Sequence, residues 1–111
     1  MIFQETIEIN PEENAGSLHD KLMRIGSKLV LKTVTSIQNN SVKTRPQIGS
    51  SEIKTAYKLD KDNCKIDWNA SLETIYNLIR GLSPYPAAWC TLINGNETLD
   101  VKIYAAEKEF I

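Results

Sequence analysis

Between residues 40 and 65 the chain carries no helical period, and Pro46, Gly49, Ser50 and Ser51 punctuate the stretch as a connector. This break constrains the fold more than any other feature. It separates two patterned regions, neither long enough for a large core. Charge follows the same division. Residues 41–65 hold six basic side chains (Lys43, Arg45, Lys54, Lys58, Lys61, Lys65) against three acidic ones (Glu52, Asp60, Asp62), a net +3. The flanking parts are acidic, at −1 for residues 1–40 and −3 for residues 66–111, so the total of −1 conceals a basic connector. A balance so close to zero excludes a uniformly basic nucleic-acid binder but not a local basic patch.

Before the connector, Thr6, Ile7, Glu8 and Ile9 alternate in polarity, so residues 2–9 are expected to form a strand closed by Asn10-Pro11. Asn14 offers a side-chain oxygen to cap a helix. From Ala15, apolar residues recur at Leu18, Leu22, Ile25, Leu29 and Val30, then Thr33, Val34 and Ile37, in steps of three and four. That helix is expected to end near Asn39-Asn40. Gly26 inside it costs roughly 1 kcal/mol against alanine unless close packing needs it.

After the connector, a short extended piece is expected at Thr55–Leu59. Asn69 or Ser71 caps a second helix whose buried face is Leu72, Ile75, Leu78, Ile79 and Leu82, with Gly81 and Pro84 ending it. Two strands follow, Ala88–Ile93 and Leu99–Ala105, joined by Asn94-Gly95-Asn96, whose residues tolerate positive φ. Residues 106–111 either extend the second strand or fray. The fold class is therefore α+β.

Chemistry-bearing motifs are scarce. His19 is the one histidine, set on the first helix next to Asp20, and reads as a surface residue. There is no Gly-rich phosphate loop. Asp60 and Asp62 lie between lysines on a polar loop and read as a solvated cluster rather than an acid–base pair. Trp68, Tyr85 and Trp89 are expected to fill a core rather than stack on bases. Cys64 and Cys90 read as free thiols with no metal-like spacing. No apolar stretch approaches the ~18 residues of a membrane span, and the N-terminus lacks the basic start of a secretory signal.

The stretch Cys64–Trp89, CKIDWNASLETIYNLIRGLSPYPAAW, resembles the start of the C-terminal domain of methionyl-tRNA formyltransferases. It carries the family's I-D-W at Ile66-Asp67-Trp68, a helix ending in Ile79-Arg80, and the proline run Pro84-Tyr85-Pro86-Ala87-Ala88-Trp89. Ala87 departs from the pattern, which usually has glycine or a small residue there. Ala15–Val34 is similar to the last helix of the family's catalytic domain, Ala56–Asn63 to its linker, and Val101–Glu107 to an early barrel strand.

The resemblance implies the following organisation. Residues 1–40 are the end of an α/β formyltransferase catalytic domain, residues 41–65 a basic linker, and residues 66–111 the opening of an OB-like C-terminal barrel. It implies transfer of a formyl group from 10-formyltetrahydrofolate to the amino group of methionyl initiator tRNA, in the cytoplasm, without a metal. The family's catalytic Asn, His and Asp have no counterpart here, and neither does its folate-binding loop. The chain is therefore expected to be an inactive piece that helps position tRNA. Alternatives are a non-catalytic tRNA-binding or interaction module, or part of a sugar N-formyltransferase.

For tRNA contact, Lys58 stands at a lysine position of the family's linker. Lys54, Lys61, Lys65, Lys43 and Arg45 qualify by proximity. Arg80 matches a family motif, but a structural role for it is favoured. Two barrel strands without partners would leave open edges, so self-association is expected.

Overall fold

A computed structural model describes residues 1–47, 49 and 53–110. Ser50 and Ser51 of the expected connector, and Ile111 at the tail, lie outside the described residues. The described residues form helix α1 (Ala15–Gln38), helix α2 (Leu72–Leu82) and strands β1 (Ala88–Asn94) and β2 (Glu97–Ile103). The class is α+β. None of the described helices is long and apolar enough to cross a membrane.

The chain divides into two compact units. One comprises Met1–Asn10 and Leu18–Tyr57, the other Pro11–Ser17 and Lys58–Ile111.

The first unit is built on α1. At its C-terminal end Asn40 takes the left-handed conformation (φ +51°). The Ser41 amide donates to the Ser36 carbonyl and the Asn40 amide to the Ile37 carbonyl, each at 3.0 Å. This pair of bonds is the Schellman closure, and asparagine is one of the few non-glycine residues that tolerates its central conformation. Residues 2–9 are not a strand. Among the described residues they find no strand to pair with, and an extended segment without a ladder partner is not β-structure. Instead the segment lies against α1: Lys21 Nζ donates to the Glu8 carbonyl (2.9 Å), and the Lys32 ammonium sits 4.6 Å from the Phe3 ring centroid. Met1 and Arg45 exchange two backbone hydrogen bonds, at 2.7 and 3.0 Å. Leu18, Ile25, Leu29 and Thr33 are partly covered. Leu22, Val30, Val34 and Ile37 of the same apolar pattern are exposed, and no residue of α1 is buried.

The second unit holds the core. Ser71 caps α2 by accepting from the Thr74 amide, as its position predicts, and Ser83 closes the helix. Gly81 is an interior helix residue and not the terminator. Ile79 and Leu82 are buried, Ile75 and Leu78 partly so, whereas Leu72 stays exposed at the first turn. These side chains cover one face of the β1–β2 hairpin, packing with Cys64, Ile66, Ala88 and Cys90, while Val101 and Ile103 of β2 join the margin. Ala88 has no solvent exposure. Cys64 and Cys90 are buried free thiols.

β1 and β2 pair antiparallel from Ala88↔Ile103 to Asn94↔Glu97. The turn is therefore the two residues Gly95-Asn96, where the expected strand bounds left residues 94–98 between them, and β2 starts earlier, at Glu97. Gly95 has φ +61° at the first central position, where a II′ turn favours glycine. The expected piece at Thr55–Leu59 forms no strand. The segment that reaches β1 is Cys64–Ile66: Trp89 N donates to the Cys64 carbonyl (3.1 Å) and Ile66 N to the Trp89 carbonyl (2.8 Å), a parallel bridge centred on Lys65↔Trp89.

Ala87 has φ +74° and is buried, with its amide donating to the Leu82 carbonyl at 2.9 Å. A Cβ in that region costs on the order of 1–2 kcal/mol.

Pro11–Ser17 is tied to the same unit. Arg80 donates from an Nη to the Glu13 carbonyl (2.9 Å) and from Nε to Asn77 (2.7 Å), and the Gly16 amide donates to the Ser83 carbonyl (3.0 Å). A Cβ on Gly16 would stand 2.7 Å from Cδ of Pro84, a rigid ring atom, whereas one on Gly26 would meet nothing. Gly16→Ala is expected to destabilise the chain by about 1–3 kcal/mol. Gly26→Ala is expected to stabilise it by about 0.5–1 kcal/mol through helix propensity. Urea midpoints moving the same way for both would contradict this contrast.

The tail neither extends β2, which ends at Ile103, nor hangs free. Lys108 Nζ lies 2.8 Å from Oε2 of Glu73 and 4.6 Å from the Tyr76 ring centroid, both on α2. The hydrogen bond from Lys108 is the main cause that holds the Glu73 carboxyl below its ordinary pKa. A depressed folded-state pKa means the contact is complete above the unfolded carboxylate pKa and is lost as pH falls through the folded value. NMR titration should show Glu73 returning toward the ordinary value in Lys108→Ala; an unchanged titration would contradict the contact.

Candidate nucleic-acid interface

The basic side chains are divided between the two units. Lys43, Arg45 and Lys54 are exposed in the first unit. Lys58, Lys61 and Lys65 belong to the second, on a loop whose shape has a local cause. Asp60 and Asn63 cap each other: each side-chain oxygen accepts from the other's amide at 2.9 Å. Asn63 Nδ2 also donates to the Lys58 carbonyl at 2.8 Å. Asp60 thus serves the loop's geometry. These bonds fix the loop backbone and leave the Lys58 side chain exposed at its start.

The loop gathers around Trp89. The indole Nε1 donates to the Lys61 carbonyl at 2.7 Å. The ammonium groups of Lys61 and Lys65 lie 4.7 and 5.1 Å from the centroid of the ring, within cation–π range. Across the hairpin, Lys102 pairs with Trp89 in register and so shares its face of the sheet. The cluster is therefore Lys61, Lys65 and Lys102 about one half-buried tryptophan. An adjoining groove of about 450 Å³ is lined in part by Leu59, Lys61, Trp89, Asp100 and Lys102.

One acid is built into this cluster. Asp100 Oδ2 is 3.1 Å from Lys61 Nζ, and its Oδ1 accepts from the Thr91 hydroxyl at 2.8 Å. The Thr91 hydrogen bond, followed by that from Lys61, holds the Asp100 carboxyl below its ordinary pKa.

Arg80 lies elsewhere. Its guanidinium is engaged on Asn77 and the Glu13 carbonyl, and it lines a separate groove of about 440 Å³ with Glu12, Tyr76 and Tyr104. Lys102 was missed at the level of sequence. It lies outside the basic connector, and only the two-residue turn sets the register that pairs it with Trp89; a slip of one residue would send it to the other face. The role of the aromatics also differs from expectation. Trp68 is 60% and Tyr85 84% exposed, so neither fills the core, while Trp89 braces the loop from the margin. Both exposed rings sit where the chain turns away from its own core, Trp68 before α2 and Tyr85 between the two prolines.

His19 is exposed, with Nδ1 3.3 Å from its neighbour Asp20. Among the described residues no group of three or more His, Cys, Asp or Glu side chains could hold a metal ion. What this surface offers chemically is positive charge, one indole and the Asp100 carboxylate.

Residues 58–109 match the family model described as "Formyl transferase, C-terminal domain". The whole chain is similar to methionyl-tRNA formyltransferases. It is 57% identical to the one from Flavobacterium johnsoniae over 96% of the chain and 34% of that protein. For Flavobacterium psychrophilum the figures are 49% identity over 100% of the chain and 35% of the relative. For Phocaeicola vulgatus they are 46%, 99% and 36%. The chain spans about a third of the length of these curated relatives.

Proposed function

From the match of residues 58–109 to the formyl transferase C-terminal domain and the similarity of the chain to methionyl-tRNA formyltransferases, we propose that it is part of such an enzyme and that its share of the work is to position the tRNA. The whole protein would move a formyl group from 10-formyltetrahydrofolate to the amino group of methionyl initiator tRNA, in the cytoplasm. Residues 1–40 would close the catalytic domain and residues 66–111 would open the OB-like barrel, with residues 41–65 joining them; the part of the joining segment from Lys58 onward travels with the barrel.

The observation that carries the positioning role is the gathering of Lys61, Lys65 and Lys102 around Trp89. Each lysine that neutralises a phosphate adds sequence-independent, salt-sensitive affinity and fixes the orientation of the nucleic acid. Lys58, at the head of the same loop, is the next contact. Lys43, Lys54 and Arg45 of the first unit are further candidates for phosphate contact, and Arg80 acts on the protein's own backbone.

The residues present do not fit the folate donor. The one histidine is exposed on α1, and neither groove of the second unit is lined by a histidine. No chemical step is assigned to this chain. The three relatives above, all bearing the tRNA enzyme's name, favour that substrate over a sugar.

The test is fluorescence anisotropy of labelled initiator tRNA with the 111-residue chain. Binding should fall steeply with salt and weaken on Lys58→Ala. Salt-independent affinity would overturn the phosphate-contact reading. Formylation of methionyl-tRNA by the chain alone, with 10-formyltetrahydrofolate supplied, would overturn the assignment to positioning only. The exposed Leu92, Ile93 and Leu99 of the hairpin support self-association of the chain. Light scattering should show a mass that rises with concentration, and a strictly monomeric species would count against it.

A further inference from the structure

We propose that Asp100 is a built-in competitor of RNA phosphate for Lys61, and that exchange between the two acids limits how tightly this surface holds RNA. The inference rests on the tRNA-positioning reading above.

Lys61 is held at three points. Its carbonyl accepts from the Trp89 indole, and its ammonium is shared between the Trp89 ring at 4.7 Å and Asp100 Oδ2 at 3.1 Å. Asp100 is the better fixed of the ion pair. It sits on β2 opposite Thr91 and takes that residue's hydroxyl on its other oxygen at 2.8 Å. Lys61 by contrast reaches it from a loop on a four-carbon stem. The side chains of Lys61 and Asp100 are 71% and 50% exposed. Exposed pairs of this kind are weak, contributing at most about fivefold to an equilibrium, so an incoming anion can take the lysine over.

The competition is local. Thr91 and Lys61 keep the Asp100 carboxyl ionised well below neutral pH, so the competing charge is present under working conditions. Asp100 and Lys102 line the same groove as Lys61 and Trp89. A phosphate entering there meets Lys61 and Lys102 together with a fixed carboxylate. Like charge at this point lowers affinity, and the released carboxylate recaptures Lys61 when the RNA departs. Asp60 also lines the groove, and its Oδ1 accepts from the Asn63 amide; no ion pair between it and Lys61 accompanies the one made by Asp100 among the described residues.

Anisotropy with initiator tRNA at 0.1 M salt tests the idea on the 111-residue chain. Asp100→Asn keeps the size of the side chain and its acceptor for Thr91 while removing the charge. It should tighten binding about two- to fivefold. Glu97→Gln, which removes an equal charge at the turn end of β2, should change it by much less. In a Lys61→Met background the gain from Asp100→Asn should shrink, because the competed partner is gone. Asp100→Ser supplies the same arm should circular dichroism show the amide disturbing the hairpin. A gain no larger than that of Glu97→Gln, or one unaltered by Lys61→Met, would overturn the competitor role while leaving tRNA positioning intact. Absence of salt-sensitive binding in every variant would overturn the tRNA reading and this inference with it.

Discussion

Trp89→Ala should lower the stability of the chain by about 3 kcal/mol, toward the small end for a tryptophan because the ring is half-buried. The side chain does two jobs. Its ring packs at the margin of the core formed by Cys64, Ile66, Ile79, Leu82, Ala88 and Cys90, and its Nε1 holds the 58–65 loop through the Lys61 carbonyl. Six buried core side chains are few, so little remains to absorb the loss. At about 4–8 °C per kcal/mol for a small domain, the melting temperature should fall by roughly 12–24 °C. Trp89→Phe separates the two jobs. It keeps most of the packing and deletes the hydrogen bond, for an expected loss of about 1 kcal/mol. The backbone bridge through Trp89 N and O survives both changes, so β1 should retain its register. A thermal midpoint for Trp89→Ala within a few degrees of the parent would show that the tryptophan is not the brace of this loop.

Removing both clustered lysines, Lys61→Ala with Lys65→Ala, should weaken tRNA binding by roughly 25–60-fold at 0.1 M salt. The size follows from counterion release. Each phosphate contact contributes a salt slope of about 0.7–0.9, which at 0.1 M amounts to roughly five- to eightfold per contact. The slope of log affinity against log salt should correspondingly become shallower by about 1.4–1.8. The parallel pair Lys43→Ala and Lys54→Ala should cost less if the Trp89 cluster carries the contact. Part of the first effect passes through structure, because two cation–π contacts disappear as well, each worth about 0.5–1 kcal/mol at an exposed site. Denaturant midpoints of the same variants measure that share. Equal losses for both pairs would locate the interface across the basic connector and not on the Trp89 face.

The helices and the hairpin were legible in the sequence because their determinants are local. Asn14 begins α1 by accepting from the Ser17 amide at 2.9 Å, and Asn40 ends it by tolerating positive φ. Ser71 caps α2 within its first turn. Gly95 makes the hairpin turn. Each of these interactions spans only a few residues, so composition at the right spacing is enough to specify it. The expected strand at residues 2–9 failed for the complementary reason. Alternating polarity states which side of a strand could be buried, but a strand exists only where a neighbouring ladder accepts it, and no partner stands there among the described residues. The aromatics failed similarly. A tryptophan's hydrophobicity is the same at positions 68 and 89, yet one is exposed and the other packs, according to what the chain lays over each.

The candidate interface divides along the same line. Lys61 and Lys65 were visible as members of a basic stretch, and Arg80 as a helix-end residue with a structural role. That Lys61 and Lys65 share an indole, that Lys102 joins them from another part of the chain, and that Asp100 claims one of them could not be read from spacing. Residues 61 and 65 meet Trp89 across more than twenty positions of sequence, through a parallel bridge whose register is set by the packing of Cys64 and Ile66 beneath α2. The sequence by itself determined the α+β elements, their caps and the basic stretch, since these follow from near-neighbour sterics, hydrogen bonding and charge. The tertiary structure alone decided which charges face one another, because that depends on the closure of long loops around a small buried core.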